Sequence, residues 1–296
     1  MTWWRRFLVH GVFWRRFLRW AVLNVPIWIE PFVIAWWSAF FLLWGPIRRS
    51  VMRNLAAIKP RSSTFANLFR VYRVFWNYAW TIADNVRHRE QGMVPDWEFI
   101  GFEHFDELQS REGGAIILTA HMGSYDLGAS LFAEFSTKRI VMVRAPETDP
   151  ETREFEEAHL ADRVQISFNT ASDRALELLS AIQSGEVIAI QGDRVTPGIA
   201  TVDTMLFGKP VRVPAGPFAL SMASRAPIYP LFIIRLARRR YRLLTLAPIT
   251  VTRTSRDRDS DIRRGVEQWI ANLESTIRDA WFQWFAFEPF YEEGAG

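Results

Sequence analysis

The segment Ile116-Ile-Leu-Thr-Ala-His121-Met-Gly-Ser-Tyr-Asp126-Leu-Gly128 decides how this chain is read. An apolar run of strand length ends at a histidine, small residues follow, and an acid stands five positions after the histidine. Gly113-Gly114 opens the run, and Leu127, Leu131 and Phe135 recur at helical spacing, so the pattern predicts strand, turn and helix. His121 is thereby expected at the carboxyl end of a buried strand, where open α/β sheets place their chemistry. Asp126 falls in the first turn of the next helix, placed to turn back towards the imidazole. A carboxylate that sets the tautomer of an imidazole and stabilises its charged form makes a general base. A strand-end histidine is also a common structural residue, so the rest of the chain has to decide between the two.

Downstream, Arg139-Ile-Val-Met-Val143 is a short apolar strand ending at Arg144, followed by a helix over roughly 151–163. A second helix over 173–184 stops at Gly185, and Val187-Ile-Ala-Ile190 is a buried strand running into Gln191-Gly-Asp-Arg194. Residues 226–235 and 241–246 read as a strand pair turning through 237–240. Upstream, 97–101 is a first strand, and 48–89 is helical with a break at Pro60, where Ser63 or Thr64 is placed to cap the second piece. An amphipathic helix through Ile262, Val266, Trp269, Leu273 and Ile277 precedes an aromatic tail, 281–291, read chiefly as packing or as a wall of an acyl groove. Strands alternating with helices imply an α/β fold: a single domain over 91–296 with a largely parallel central sheet flanked by helices.

The first 90 residues form a basic, Trp-rich, membrane-associated helical region. Residues 1–61 carry ten Lys and Arg against the single acid Glu30, a local charge of +9, while the whole chain is only +4. Tryptophan and arginine interleave over 3–20, which suits a helix lying in the headgroup plane of an anionic membrane rather than a nucleic-acid surface. Residues 22–44 are the most apolar, but Pro26, Glu30 and Pro31 interrupt them and leave 13 uninterrupted residues, 32–44. A spanning helix needs roughly 20, so the segment reads as a monotopic dip into the membrane, with a single N-terminal span or a buried core helix as the other readings. The chain has no cysteine, which excludes disulfides, thiolate metal sites and cysteine nucleophiles. Its five histidines (10, 88, 104, 121 and 159) form no recognisable ligand pair, so neither metal nor cofactor is expected.

Three polar signatures therefore stand at strand ends: His121 with Asp126, Arg144, and Asp193-Arg194. A parallel sheet brings such ends to one edge, and arginine pairs well with phosphate. In this order the motifs resemble the lysophospholipid/glycerolipid acyltransferase superfamily, most closely the bacterial lipid A late acyltransferases. His121 and Asp126 match its His-X4-Asp/Glu signature, Arg144 its strand-end arginine, and Asp193 its acidic turn. Phe207-Gly-Lys-Pro210, Pro214-Ala-Gly-Pro217, Ala226-Pro-Ile-Tyr-Pro230 and Gln283-Trp-Phe-Ala-Phe287 follow in the family's order. Asp126 stands where many lipid A enzymes carry Glu, and Arg194 follows an acidic turn that commonly lacks it, so the acceptor stays open.

The resemblance implies a membrane-associated acyltransferase moving a fatty acyl chain from acyl carrier protein or acyl-coenzyme A to a hydroxyl of a membrane lipid or glycolipid. His121 would be the base, Asp126 its orienting acid, and Arg144, Asp193 and Arg194 the substrate-binding residues. Backbone N–H groups of the Met122–Gly123 turn are placed to stabilise the oxyanion. Such a protein would sit on the cytoplasmic face of the bacterial inner membrane, where thioesters are made. Two further readings use the same scaffold: a non-catalytic lipid-binding protein, and a lipid hydrolase with Ser124 as nucleophile. The latter lacks the Gly-x-Ser-x-Gly elbow.

Overall fold

The computed structural model describes residues 12–125, 127, 128, 132, 135, 136, 138–144, 164–168, 174–196, 198–254 and 256–291. Four helices come first: α1 (Val12–Asn24), α2 (Glu30–Leu43), α3 (Gly45–Ile58) and α4 (Thr64–Gln91). The remaining elements are β1 (Asp96–Ile100), α5 (Phe102–Ser110), β2 (Ala115–Thr119), β3 (Ile140–Arg144), β4 (Val164–Phe168), α6 (Arg174–Gln183) and β5 (Val187–Gln191). The hairpin β6 (Thr201–Leu206) and β7 (Lys209–Pro214) follows, then α7 (Gly216–Ser224), β8 (Ile228–Ala237), β9 (Arg240–Thr245) and α8 (Arg258–Ala280). Ser63 caps α4, its hydroxyl accepting the Ala66 N–H at 3.2 Å, and Gly92 ends the helix in the left-handed region.

Seven strands form one sheet in the order β1-β9-β8-β2-β5-β3-β4. Five of them, β8, β2, β5, β3 and β4, run parallel, while β9 is antiparallel to β8 and carries β1 with it. Strand β2 lies near the centre, and its alternating side chains feed two separate cores. Ile116 and Leu118 face the core shared with α4, α7, α8 and the tail; Ala115 and Ile117 face Phe105, Leu108, Leu127 and Phe132. An all-apolar run is what a strand covered on both faces requires. The largely parallel sheet flanked by helices is thus present. The expected helix over 151–163 lies outside the described residues.

Strands β4, β6 and β7 and helices α5 and α7 were not legible as elements in the sequence. In β4 the run Val164-Gln-Ile-Ser-Phe168 alternates apolar and polar residues, as a one-sided strand should. Pro210 and Pro214 weaken the strand pattern of β7, yet a two-stranded hairpin leaves outer edges where a missing N–H costs no ladder bond.

The N-terminal helices share the main core instead of standing apart from it. Ile34, Trp37 and Phe41 on α2 are buried, with Phe41 against Phe75 at 6.0 Å between ring centroids and Trp37 against Tyr78 at 6.2 Å. The opposite face of α2 leaves Phe32, Trp36 and Leu43 open to solvent. Gly45 and Pro46 break the run, and α3 departs from α2 at 89°. No single described helix is long and apolar enough to cross a membrane, although the bent α2–α3 pair has the composition for a broken span or re-entrant loop.

A buried charge network ties these helices to the sheet. Asp84 on α4 accepts from Arg87 at 3.2 Å, from Arg235 Nε at 2.7 Å and from the Tyr241 hydroxyl at 2.6 Å. Arg87 also pairs with Glu30 at the start of α2, and Arg235 stacks over Trp80. Burial, with the Asp84 carboxylate beside it, holds the Tyr241 hydroxyl protonated far above its ordinary range. Two acids and two arginines balance, so removing one leaves an uncompensated buried charge. Asp84→Asn is expected to destabilise the fold by roughly 3–5 kcal/mol, measured by equilibrium urea unfolding.

Candidate active site

The site is built by register. Thr119 at the end of β2 pairs with Gln191 at the end of β5, so His121 and Asp193, each two residues further on, arrive side by side. The Gly192 N–H donates to the Thr119 carbonyl at 2.8 Å, carrying the pairing one step past the strands. A side chain at Gly192 would meet the buried Leu118 side chain at 2.6 Å from Cδ1, so the core beneath the turn leaves room only for glycine unless Leu118 shifts. The result is a two-point contact. His121 Nδ1 lies 2.7 Å from Asp193 Oδ1, and the His121 backbone N–H donates to both carboxylate oxygens at 3.1 Å. The indole N–H of Trp284 adds a 3.3 Å bond to Oδ2.

Asp193 is 1% exposed. Burial raises its pKa, but the His121 charge and hydrogen bonds, with Arg194 nearby, outweigh that penalty and hold the carboxyl below its ordinary range. An ionised carboxylate only accepts, so Nδ1 is the nitrogen that donates to it, and in the neutral ring the lone pair is then on Nε2. Nε2 makes no hydrogen bond to any described residue. A cleft of about 690 Å³ reaches Asp193 and Arg194, walled by Arg212 from β7 and by Pro289 and Tyr291 from the tail.

The turn after His121 is held on both sides. The Gly123 N–H donates to the Gln283 carbonyl at 2.9 Å and the Ser124 N–H to the Ile233 carbonyl at 2.8 Å, so the turn is inserted between the tail and β8. Gly123 has φ +59, and a Cβ there would stand 1.8 Å from the Ile233 oxygen, which excludes every other residue. Met122 donates to the Ala120 carbonyl at 2.6 Å. The N–H groups of residues 121–124 are therefore all engaged, which corrects the expectation that the Met122–Gly123 turn supplies the oxyanion donors.

Among the described residues, His121, Asp193 and Arg194 are brought to one edge, and the backbone of Arg144 ends there too. Asp193, expected to bind substrate or hold an arginine, instead sits against the imidazole. Asp126 lies outside the described residues. Arg144 ends β3, whose Val143 pairs with Ile190 of β5, so its backbone reaches the same edge; its side chain is outside the description. Arg194 Nη2 donates to the Phe285 carbonyl at 2.5 Å, which ties it to the tail and leaves it half-buried. Ser124 is fully buried, where no substrate carbonyl can reach its hydroxyl. Among the described residues no group of three or more His, Asp or Glu is arranged for a metal ion.

The tail does more than pack. Phe285 N–H donates to the His121 carbonyl at 2.8 Å, and the Gln283 amide bonds both backbone groups of Arg235 at 2.9 and 2.7 Å. Asn54 on α3 clamps the tail's far end through the carbonyls of Ala286 and Glu288, both at 2.8 Å, and the N–H of Phe290. The sequence signal for this was Gln283 itself, a polar residue within an aromatic run.

Fold and site together define an α/β protein with an imidazole–carboxylate pair at the carboxyl edge of its sheet, an arrangement suited to moving a proton. Residues 15–292 match the family described as bacterial lipid A biosynthesis acyltransferase, and the chain belongs to that family. It is an acyltransferase. A search of curated proteins finds no match.

Because the folded Asp193 carboxyl lies below its unfolded value, its contribution is present above a pH of about 4 and is lost as pH falls from there through the depressed value. Unfolding free energies measured across acid pH should fall less steeply for Asp193→Asn than for the wild type.

Proposed function

We propose that this acyltransferase moves a fatty acyl group from a thioester, carried on acyl carrier protein or coenzyme A, to a hydroxyl of a membrane lipid or glycolipid. His121 is the general base. The observation that supports this most strongly is the buried Asp193 carboxylate on Nδ1, which leaves the Nε2 lone pair for substrate. Nε2 takes the proton of the acceptor hydroxyl as its oxygen attacks the thioester carbonyl. The tetrahedral adduct collapses, the C–S bond breaks, and the imidazolium returns the proton to the leaving sulfur. Products are an ester and a free thiol. Asp193 holds the ring and offsets its transient charge, and Asp126 acts on the same turn. Arg144 and Arg194 add positive charge at this edge, suited to phosphate or to an acidic carrier.

The lipid acceptor suits a protein on the cytoplasmic face of the bacterial inner membrane. Support comes from the exposed aromatic face of the N-terminal helices: Trp20, Trp28, Phe32 and Trp36 are each more than half exposed. Singly exposed apolar residues are ordinary, but a contiguous set of tryptophans beside arginines is what a headgroup layer accommodates. The bent α2–α3 pair suits a dip into one leaflet more than a full span.

The test is transfer of labelled acyl groups from acyl carrier protein and from acyl-coenzyme A into a total lipid extract. His121→Ala and Asp193→Asn should each lower turnover on the order of 10²–10⁴-fold, while Ser124→Ala keeps it. Activity of His121→Ala within about tenfold of wild type would refute the base assignment. Labelled free fatty acid without a labelled lipid would refute transfer to a lipid.

A further inference from the structure

The β8–β9 turn carries Arg238, Arg239 and Arg240 in a row, all exposed, with Leu236 and Ala237 exposed before them. Ala237 pairs with Arg240, so the turn itself is Arg238 and Arg239. Arg239 has φ +62, a conformation for which glycine or asparagine is the ordinary choice. Glu98 pairs with Arg240 at 3.6 Å and with Arg242 at 2.7 Å, and Arg239 donates to the Val94 carbonyl at 3.4 Å. Arg238 makes no hydrogen bond or ion pair with any described residue. Two acids, Glu98 and the exposed Asp96 that pairs in register with Arg240, stand among four arginines and leave the tip positive.

Two observations place this tip. First, β8 runs parallel to β2, so the tip projects from the edge that carries His121. Ile233 lies level with Gly123, and Ala237 extends four residues, about 13 Å, beyond it. Second, the tip abuts the segment that leads from α4 into β1, where the Asp96 N–H donates to the Arg239 carbonyl at 2.6 Å. The C-terminal end of α4 holds α1 through Arg19 and Glu90 at 2.7 Å, and the start of α2 through Arg87 and Glu30. From Glu90 to Val94 the chain spans at most about 14 Å. Trp20, Ile27 and Trp28 are exposed on or beside the helices held at that end, and Val94 and Leu236 are exposed in the segments that carry or meet the arginines.

We propose that the arginine tip of the β8–β9 turn is a second membrane contact, binding the phosphates of anionic phospholipid headgroups and holding the catalytic edge against the bilayer. This rests on the membrane-surface reading of the N-terminal helices. The few residues of chain between the α4 end that holds those helices and the segment that meets the tip favour a lipid surface over an acidic protein, and arginine suits phosphate. Two contacts drawn from segments distant in sequence fix an orientation, where one helical anchor alone leaves the body free to rotate.

The full chain is mixed with vesicles of phosphatidylcholine alone, or of phosphatidylcholine with phosphatidylglycerol, and the bound fraction is read by flotation. Arg238→Gln is expected to lower partition onto anionic vesicles about five-fold and Arg238→Glu roughly thirty-fold, with binding to neutral vesicles and acyl transfer in detergent unchanged. Trp28→Ala should weaken binding to both vesicle types. Wild-type binding that both Arg238 variants match overturns the tip contact and leaves the membrane reading standing. Wild-type protein that binds neither vesicle overturns both. Arg238 variants that bind vesicles normally but need more acyl carrier protein for half-maximal rate would make the tip a carrier-protein dock and overturn the lipid assignment.

Discussion

The contact between His121 and the Asp193 carboxylate constrains everything around it. A carboxylate removed from water is stable only if its oxygens are met by donors, and here the donors are an imidazole, a backbone N–H and an indole. Each donor brings a requirement with it. The imidazole and the N–H demand that β2 and β5 stay in register to their last residue, and the Gly192 N–H carries that register one step further. The indole demands that the C-terminal tail return across the sheet, which it does by bonding residues 121 and 123. A chemical pair at the surface of the sheet is therefore held by elements from three regions of the chain.

The second buried electrostatic cluster, around Asp84, does for the helices what the first does for the turn. It joins the start of α2, the end of α4, β8 and β9 through four charged groups and a tyrosine. Buried ion pairs contribute little to net stability compared with apolar packing of the same volume. Their geometry is directional, though, and here it orients the helices relative to the strand on which the His121 turn rests. Gln283 bridges the two clusters, bonded by its side chain to Arg235 and by its carbonyl to Gly123.

The outer surface continues this arrangement. The face of α2 turned towards α4 is buried aromatic packing, while its other face leaves tryptophan and phenylalanine in contact with solvent. One helix thus serves both the core and an apolar surface, and its 89° break with α3 keeps the pair from forming a straight span. Asn54 on α3 then reaches the tail that walls the cleft, so the helix pair is joined by direct hydrogen bonds to the segment that crosses the His121 turn.

Much of this was legible in the linear chain, for a physical reason. Period-two and unbroken apolar runs marked β2, β3, β5, β8 and β9, because a strand covered on both faces has no other way to be soluble. The strand-end residues His121, Arg144 and Asp193, taken in order with the segments at 207–217, 226–230 and 283–287, carried the resemblance to acyltransferases. The family match over residues 15–292 agrees. What the sequence could not determine was partnership. Asp126, five residues from His121, lies outside the described residues, and the carboxylate on Nδ1 is 72 residues away, delivered by a β2–β5 pairing that no local pattern encodes. Likewise the tail looked like aromatic packing, because hydrogen bonds from Gln283, Trp284 and Phe285 exist only once the C-terminus has folded back over the turn. Local sequence determines which residues can do chemistry. The register between distant strands decides which of them meet.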